Sequence, residues 1–118
     1  MNYLTVFVGG GLGSLARFLV GIFIAKSKIS SFPVATFISN VMACTILAIM
    51  VFHFKSKLTQ ISWLSPLIIT GFCGGFSTFS SFSHETNLLF QQGNYIYAVL
   101  NILISIVFCV GIFFILEK

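Results

Sequence analysis

Few residues of this chain could do chemistry, and most of them sit inside apolar runs. Glu85 and Glu117 are the only acids, and His53 and His84 the only histidines. Neither histidine has a partnering nucleophile or metal set, so no enzyme is expected. Cys44, Cys73 and Cys109 show neither metal spacing nor an even count, and they read as small buried hydrophobes. What remains is one fixed positive charge, Arg17, and a scatter of neutral hydrogen-bonding groups. These are Thr36, Asn40, a run of hydroxyls between Ser77 and Ser83, Asn101 and Ser105. Such groups suit the holding or passing of an ion rather than the breaking of a bond.

The elements that must position them are set by composition. Of 118 residues, 58% are apolar and 7% charged, against about 25% charged in an ordinary soluble domain. Mean hydropathy is +1.08. Too little polar surface exists to clothe a soluble globule, which excludes a soluble enzyme, a nucleic-acid binder and a disordered tail. The net charge of +4 is spread along the chain rather than clustered. The fold class expected is an all-α integral membrane protein, one transmembrane domain over residues 1–118. Its four helices are placed at about 3–25, 33–54, 64–90 and 95–116, each reaching the ~20 residues that cross ~30 Å of hydrocarbon. Pro33 suits a first helical turn, and Tyr3, Trp63, Tyr95 and Tyr97 lie near expected ends, where amphipathic rings settle. The first span lacks a basic leader region and carries Gly9-Gly10-Gly11 and Arg17, so it is not a signal peptide. Loops are short, and no extramembrane domain is expected.

Four crossings put both termini and the Lys55/Lys57 loop on one side, with Lys118. The other side carries Lys26 and Lys28, and Arg17 if it is credited to the nearer end. Three cations against two or three cannot fix an orientation by the positive-inside rule. Insertion in both orientations, and an antiparallel homodimer in membrane lipid, is the expectation; weak preference for one orientation is the alternative.

Polar residues within hydrocarbon must be satisfied or face water, which makes them functional candidates. Gly9, Gly13, Arg17 and Gly21 recur every four residues on the first helix. This stripe is either a close-packing face with a paired arginine, or a fixed positive charge beside an aqueous vestibule. Thr36, Asn40 and Cys44 repeat the spacing on the second helix, and Asn101, Ser105 and Cys109 on the fourth. Taken singly, each stripe reads as interhelical hydrogen bonding or as part of a pathway.

The third span is the most informative. Gly71-Phe-Cys-Gly74-Gly75-Phe-Ser77-Thr-Phe79-Ser80-Ser81-Phe82-Ser-His-Glu85 is a poor continuous helix. Two adjacent glycines are costly in a helix interior, and the hydroxyls that follow compete for the backbone. An expected break here, midway through the membrane, frees backbone carbonyls, which near Gly74 and Ser77 could take a cation. Phe79 and Phe82 share one face, with Ser77, Ser80, Ser81 and His84 on the next. Phenylalanines at this spacing are ordinary packing, or their electropositive edges and the neighbouring hydroxyls line a narrow anion path. No acidic ring exists to favour cations.

These residues resemble the small dual-topology fluoride channels, the Fluc/CrcB family. The resemblance covers the whole chain and rests on Gly9-Gly-Gly-Leu-Gly13-Ser-Leu-Ala-Arg17, on Thr36-Phe-Ile-Ser-Asn40, and above all on Gly71 to Glu85. It implies an antiparallel homodimer of four-helix subunits, with the third helix broken. Two pores would pass fluoride out of the cytoplasm passively and exclude chloride. Phe79, Phe82, Asn40, Ser80, Ser81 and Ser105 fall on the family's pore positions, and Arg17, Thr36 and Glu85 on its vestibule. A structural sodium ion would be held at the dimer centre by the backbone carbonyls of Gly74 and Ser77. The implied location is the bacterial inner membrane. The chain departs from the family beside Asn40, where Ile38-Ser39 and Val41-Met42 stand, and at Ser77, Asn101 and Cys109.

A second reading is a proton-coupled transporter of the small multidrug type, also short and dual-topology. That chemistry requires a carboxylate on the first helix, where this chain has Arg17 and no acid. A third is a non-transporting assembly factor whose polar stripes only join helices.

Overall fold

The computed structural model describes residues 2–27 and 32–117. Lys28 and Lys118, two cations of the charge count, lie outside the described residues. The described chain is all helical, in the order α1 (Asn2–Ser27), α2 (Val34–His53), α3 (Lys55–Gln60), α4 (66–76), α5 (Phe79–Gln91) and α6 (Tyr95–Leu116). Three of these helices, α1, α2 and α6, are long and apolar enough to cross a bilayer. Their burial is inverted relative to a soluble protein. Among the described residues, the largest side chains with at most about 2% exposure are Asn101 and Ser39, whereas Tyr3, Phe7, Phe23 and Ile115 are more than two-thirds exposed. Apolar groups turned outward and polar groups turned inward suit a hydrocarbon solvent.

The remaining apolar segment is not one helix. Its first part, α4, is π-helical over Pro66–Cys73 and α-helical over Gly74–Phe76. The chain then extends through Ser77 (φ −87°, ψ 155°) and Thr78 (φ −152°, ψ 119°) before α5 begins. Gly74 and Gly75, the pair expected to interrupt the helix, are themselves helical, and the extended residues lie just beyond them. Gly75 is needed for packing instead. A Cβ there would meet the Gly10 carbonyl and the Ser14 N–H on α1, and one on Gly71 would meet Gly9 Cα. In return, a Cβ on Gly9 would overlap the Leu67 carbonyl, and one on Gly13 would overlap the Phe72 carbonyl. Two glycine pairs at four-residue spacing thus interlock, so that α1 and α4 touch backbone to backbone. Gly21, on the same α1 stripe, meets nothing and is not part of this seam.

On the other side, α6 lies against α2 through edge-to-face aromatic pairs, Phe37 with Phe108 and Phe52 with Phe113, and meets α5 where Asn101 bonds Thr86. Helix α5 ends where Gly93, at φ +82°, turns the chain and the Asn94 N–H reaches back to the Leu89 carbonyl.

Candidate functional site

The two extended residues are held from outside their own segment. The Asn40 side chain on α2 grips Thr78 on both sides of its backbone: Oδ1 accepts the Thr78 N–H at 2.7 Å, and Nδ2 donates to the Thr78 carbonyl at 3.3 Å. An amide is suited to this because it carries a donor and an acceptor on one planar group, as the backbone does. Thr78 in turn caps α5, its Oγ1 accepting the Ser81 N–H at 3.1 Å.

These bonds have a consequence for two carbonyls. In a continuous helix the Gly74 carbonyl would take the Thr78 N–H, and the Ser77 carbonyl the Ser81 N–H. Both donors are diverted, to Asn40 and to the Thr78 hydroxyl respectively. Gly74 and Ser77 lie on the wall of a cavity of about 140 Å³, together with Cys44 and Cys73. The local donor set is therefore backbone oxygen without its helical partner, the ligand type that alkali and alkaline-earth cations prefer.

A second cavity, of about 280 Å³, gathers four of the expected pore residues. Phe79 and Phe82 from α5, Asn40 from α2 and Ser105 from α6 all line it, as does Cys109. The two rings stand 5.6 Å apart, tilted by 39°. Phe79 is 78% exposed in the single chain, a large cost for a ring in water but not where a partner or lipid covers it. Asn40 keeps one Nδ2 hydrogen beyond its bond to Thr78, and the same residue lines this cavity.

A third cavity, of about 340 Å³, lies on the other flank of the α2–α5 contact. Arg17, Thr36, Ser39, Ser81 and Glu85 are on its wall. Arg17 Nε donates to the Gly75 carbonyl at 3.1 Å, so the stripe of α1 both packs and delivers a cation to an opening. Glu85 Oε1 is buried and has no hydrogen-bond partner among the described residues.

The expected site residues are thus divided between places. Phe79, Phe82, Asn40 and Ser105 share one cavity, and Arg17, Thr36, Glu85 and Ser81 share another. Ser80 lines neither; it is exposed, its hydroxyl 3.1 Å from that of Thr78. Asn101 lies off both, in a buried chain of bonds. Its Nδ2 donates to Thr86 Oγ1 at 2.8 Å, Thr86 donates to the Phe82 carbonyl at 2.7 Å, and Ser105 donates to Asn101 Oδ1 at 3.4 Å. Three contributors escape the sequence reading: Thr78, Thr86 and Ser39. Thr78 carried a visible signal, a cap residue three positions before a serine-rich turn. Ser39 and Thr86 carried none, because a lone hydroxyl in an apolar helix does not tell which way it points.

Two comparisons bear on these residues. Residues 4–116 match the family model described as CrcB-like protein, Camphor Resistance (CrcB). The chain is 44% identical over 104 residues to a protein of Azobacteroides pseudotrichonymphae named fluoride-specific ion channel FluC, covering 85% of this chain and 80% of that one. Proteins of the same name from Ruminiclostridium cellulolyticum and from Nitratiruptor sp. are each 36% identical. The matches span 92% of this chain and 84% of the former, and 94% of this chain and 88% of the latter.

Proposed function

The chain belongs to the CrcB family, and from that premise we propose that it is a passive channel by which fluoride leaves the cell. It is a multi-pass membrane protein, in bacteria of the inner membrane, and not an enzyme. The relatives named above are called fluoride-specific ion channels. The observation that carries the reading to this chain is the cavity shared by Phe79, Phe82, Asn40 and Ser105.

A small anion gives up water only if other donors replace it. Asn40 and Ser105 supply N–H and O–H groups, and the edges of Phe79 and Phe82 present weak positive charge without hydrogen-bonding acceptors. Ser80 and Ser81 continue the hydroxyl track, and Arg17, with Thr36 and Glu85, forms the entrance where the positive charge raises the local anion concentration. Hydrogen fluoride crosses bilayers as the neutral acid and dissociates in a more alkaline cytoplasm. A negative membrane potential then drives the anion out at about 2.3 kcal/mol per 100 mV, without a nucleotide or a coupled proton.

The working unit in this reading is an antiparallel homodimer of four-span subunits, embedded in lipid. The third span consists of α4 and α5, interrupted in mid-membrane at Ser77–Thr78. Support comes from the near balance of cations between the two sides and from the exposure of Phe79, which a second subunit would cover. A sodium ion suits the Gly74 and Ser77 carbonyls, whose helical donors are diverted. It would fasten the two interruptions together by charge, using backbone oxygen alone.

The test is fluoride efflux from liposomes holding the purified protein, followed with an ion-selective electrode and repeated with chloride. Fluoride flux with no chloride flux is expected. Proton-linked export of a cationic drug, with no fluoride flux, would replace this reading with the multidrug one.

A further inference from the structure

Among the described residues, two buried side-chain oxygens have no hydrogen-bond partner, Ser39 Oγ and Glu85 Oε1. Both residues line the same cavity, one on α2 and one on α5, with Arg17 on the α1 side. Buried polar atoms without partners are rare in native proteins, and each calls for a ligand, ion or water. Ser39 is 1% exposed, so bulk water does not serve it directly. Nor does it bond back to the backbone of its own helix. Thr45, Ser77 and Thr86 each bond back to the carbonyl four residues earlier, at 2.8, 2.8 and 2.7 Å. Ser39 leaves that bond unmade.

We infer that this cavity holds the permeating anion while it is still partly hydrated, with the Ser39 hydroxyl replacing one water of its shell. The inference rests on the fluoride reading and adds to it a residue that the pore assignment lacks. The division of labour follows from donor chemistry. Fluoride only accepts hydrogen bonds, so it takes the Ser39 O–H and a guanidinium N–H of Arg17. Arg17 has five N–H donors, of which Nε is engaged with the Gly75 carbonyl. The Glu85 carboxylate cannot meet the bare anion. It accepts instead from a water whose other hydrogen points at the ion. The volume of about 340 Å³ accommodates an ion with several waters at ~30 Å³ each. Beyond it, the cavity of Phe79 and Phe82 offers no charged group among its lining residues. Partial dehydration at Ser39 therefore precedes full dehydration at the rings.

The experiment compares wild type with Ser39→Ala, and with the equal-sized pair Ser39→Thr and Ser39→Val, in liposomes. The initial rate of fluoride efflux is recorded over a range of internal fluoride. Loss of one hydrogen bond to an ion should raise the half-saturating fluoride at least about tenfold in the Ala and Val variants. Maximal rate should stay within about twofold, and Thr should behave as wild type. Equal half-saturation in Ala and wild type, or equal impairment of Thr and Val, overturns the role of the hydroxyl. Absence of fluoride efflux from the wild type overturns the channel reading beneath it, which the variant series by itself does not touch.

Discussion

The two parts of the interrupted segment, α4 and α5, are held in place by different physics. Helix α4 is fastened by backbone contact. Gly71 and Gly75 interlock with Gly9 and Gly13 on α1, with no side chain between the two main chains. Helix α5 is fastened by polar side chains, through Asn40 to Thr78 at its start and Asn101 to Thr86 in its middle. The cavities of Arg17 and of Phe79 border α5, and the smaller one at Gly74 and Ser77 lies at the end of α4. A seam of glycines tolerates no added atom and leaves no room for an ion. Hydrogen-bonded contacts leave gaps between helices and keep polar groups within reach of them. One part is anchored by the seam, and the other borders the two larger of these cavities.

The sharpest way to break this contrast is on the anchoring side. Gly75→Val places a branched side chain against the Gly10 carbonyl and the Ser14 N–H. Loss of the folded, monodisperse protein on gel filtration in detergent is expected, since backbone on both sides cannot yield. On the α5 side, Phe82→Ile keeps an apolar side chain of moderate size but removes the ring edge. Assembly should persist, with fluoride efflux lowered at least about tenfold; undiminished flux would remove the ring from the pathway.

Smaller effects sharpen the comparison. Asn101→Leu deletes the bond to Thr86 and the acceptor for Ser105. Interhelical hydrogen bonds in membranes average well under 2 kcal/mol, so a loss of about 1 kcal/mol in unfolding by denaturant is expected, with α5 still in place. The smallest effect is predicted for Ser77→Ala. It removes only the hydroxyl bond to the Cys73 carbonyl, and bound sodium, measured by elemental analysis after dialysis, should be retained. Its loss would show that the hydroxyl, not the backbone carbonyl, serves the ion.

Much of this is legible in the amino-acid sequence. Apolar runs of about twenty residues bounded by lysines and proline define membrane-spanning helices, since hydrocarbon leaves the backbone no other way to satisfy itself. The Gly9–Gly13 spacing announced a close contact, and its partner Gly71–Gly75 has the same spacing. The adjacent pair Gly74-Gly75 instead suggested a broken helix at that point. Local propensity favoured a break there; contact with α1 overrode it, and the extended residues fall at Ser77 and Thr78, where Asn40 reaches across from α2.

The sequence alone determined the solvent this chain is built for, the length of its helices and the residue types available to meet an ion, because those follow from composition and period. Tertiary structure decided which hydroxyls turn inward and which carbonyls lose their helical donors. It also decided that Arg17 and Glu85 share one opening while Asn40 and the phenylalanines share another. Those outcomes depend on how helices rotate against one another, a matter of contacts between residues far apart in the chain.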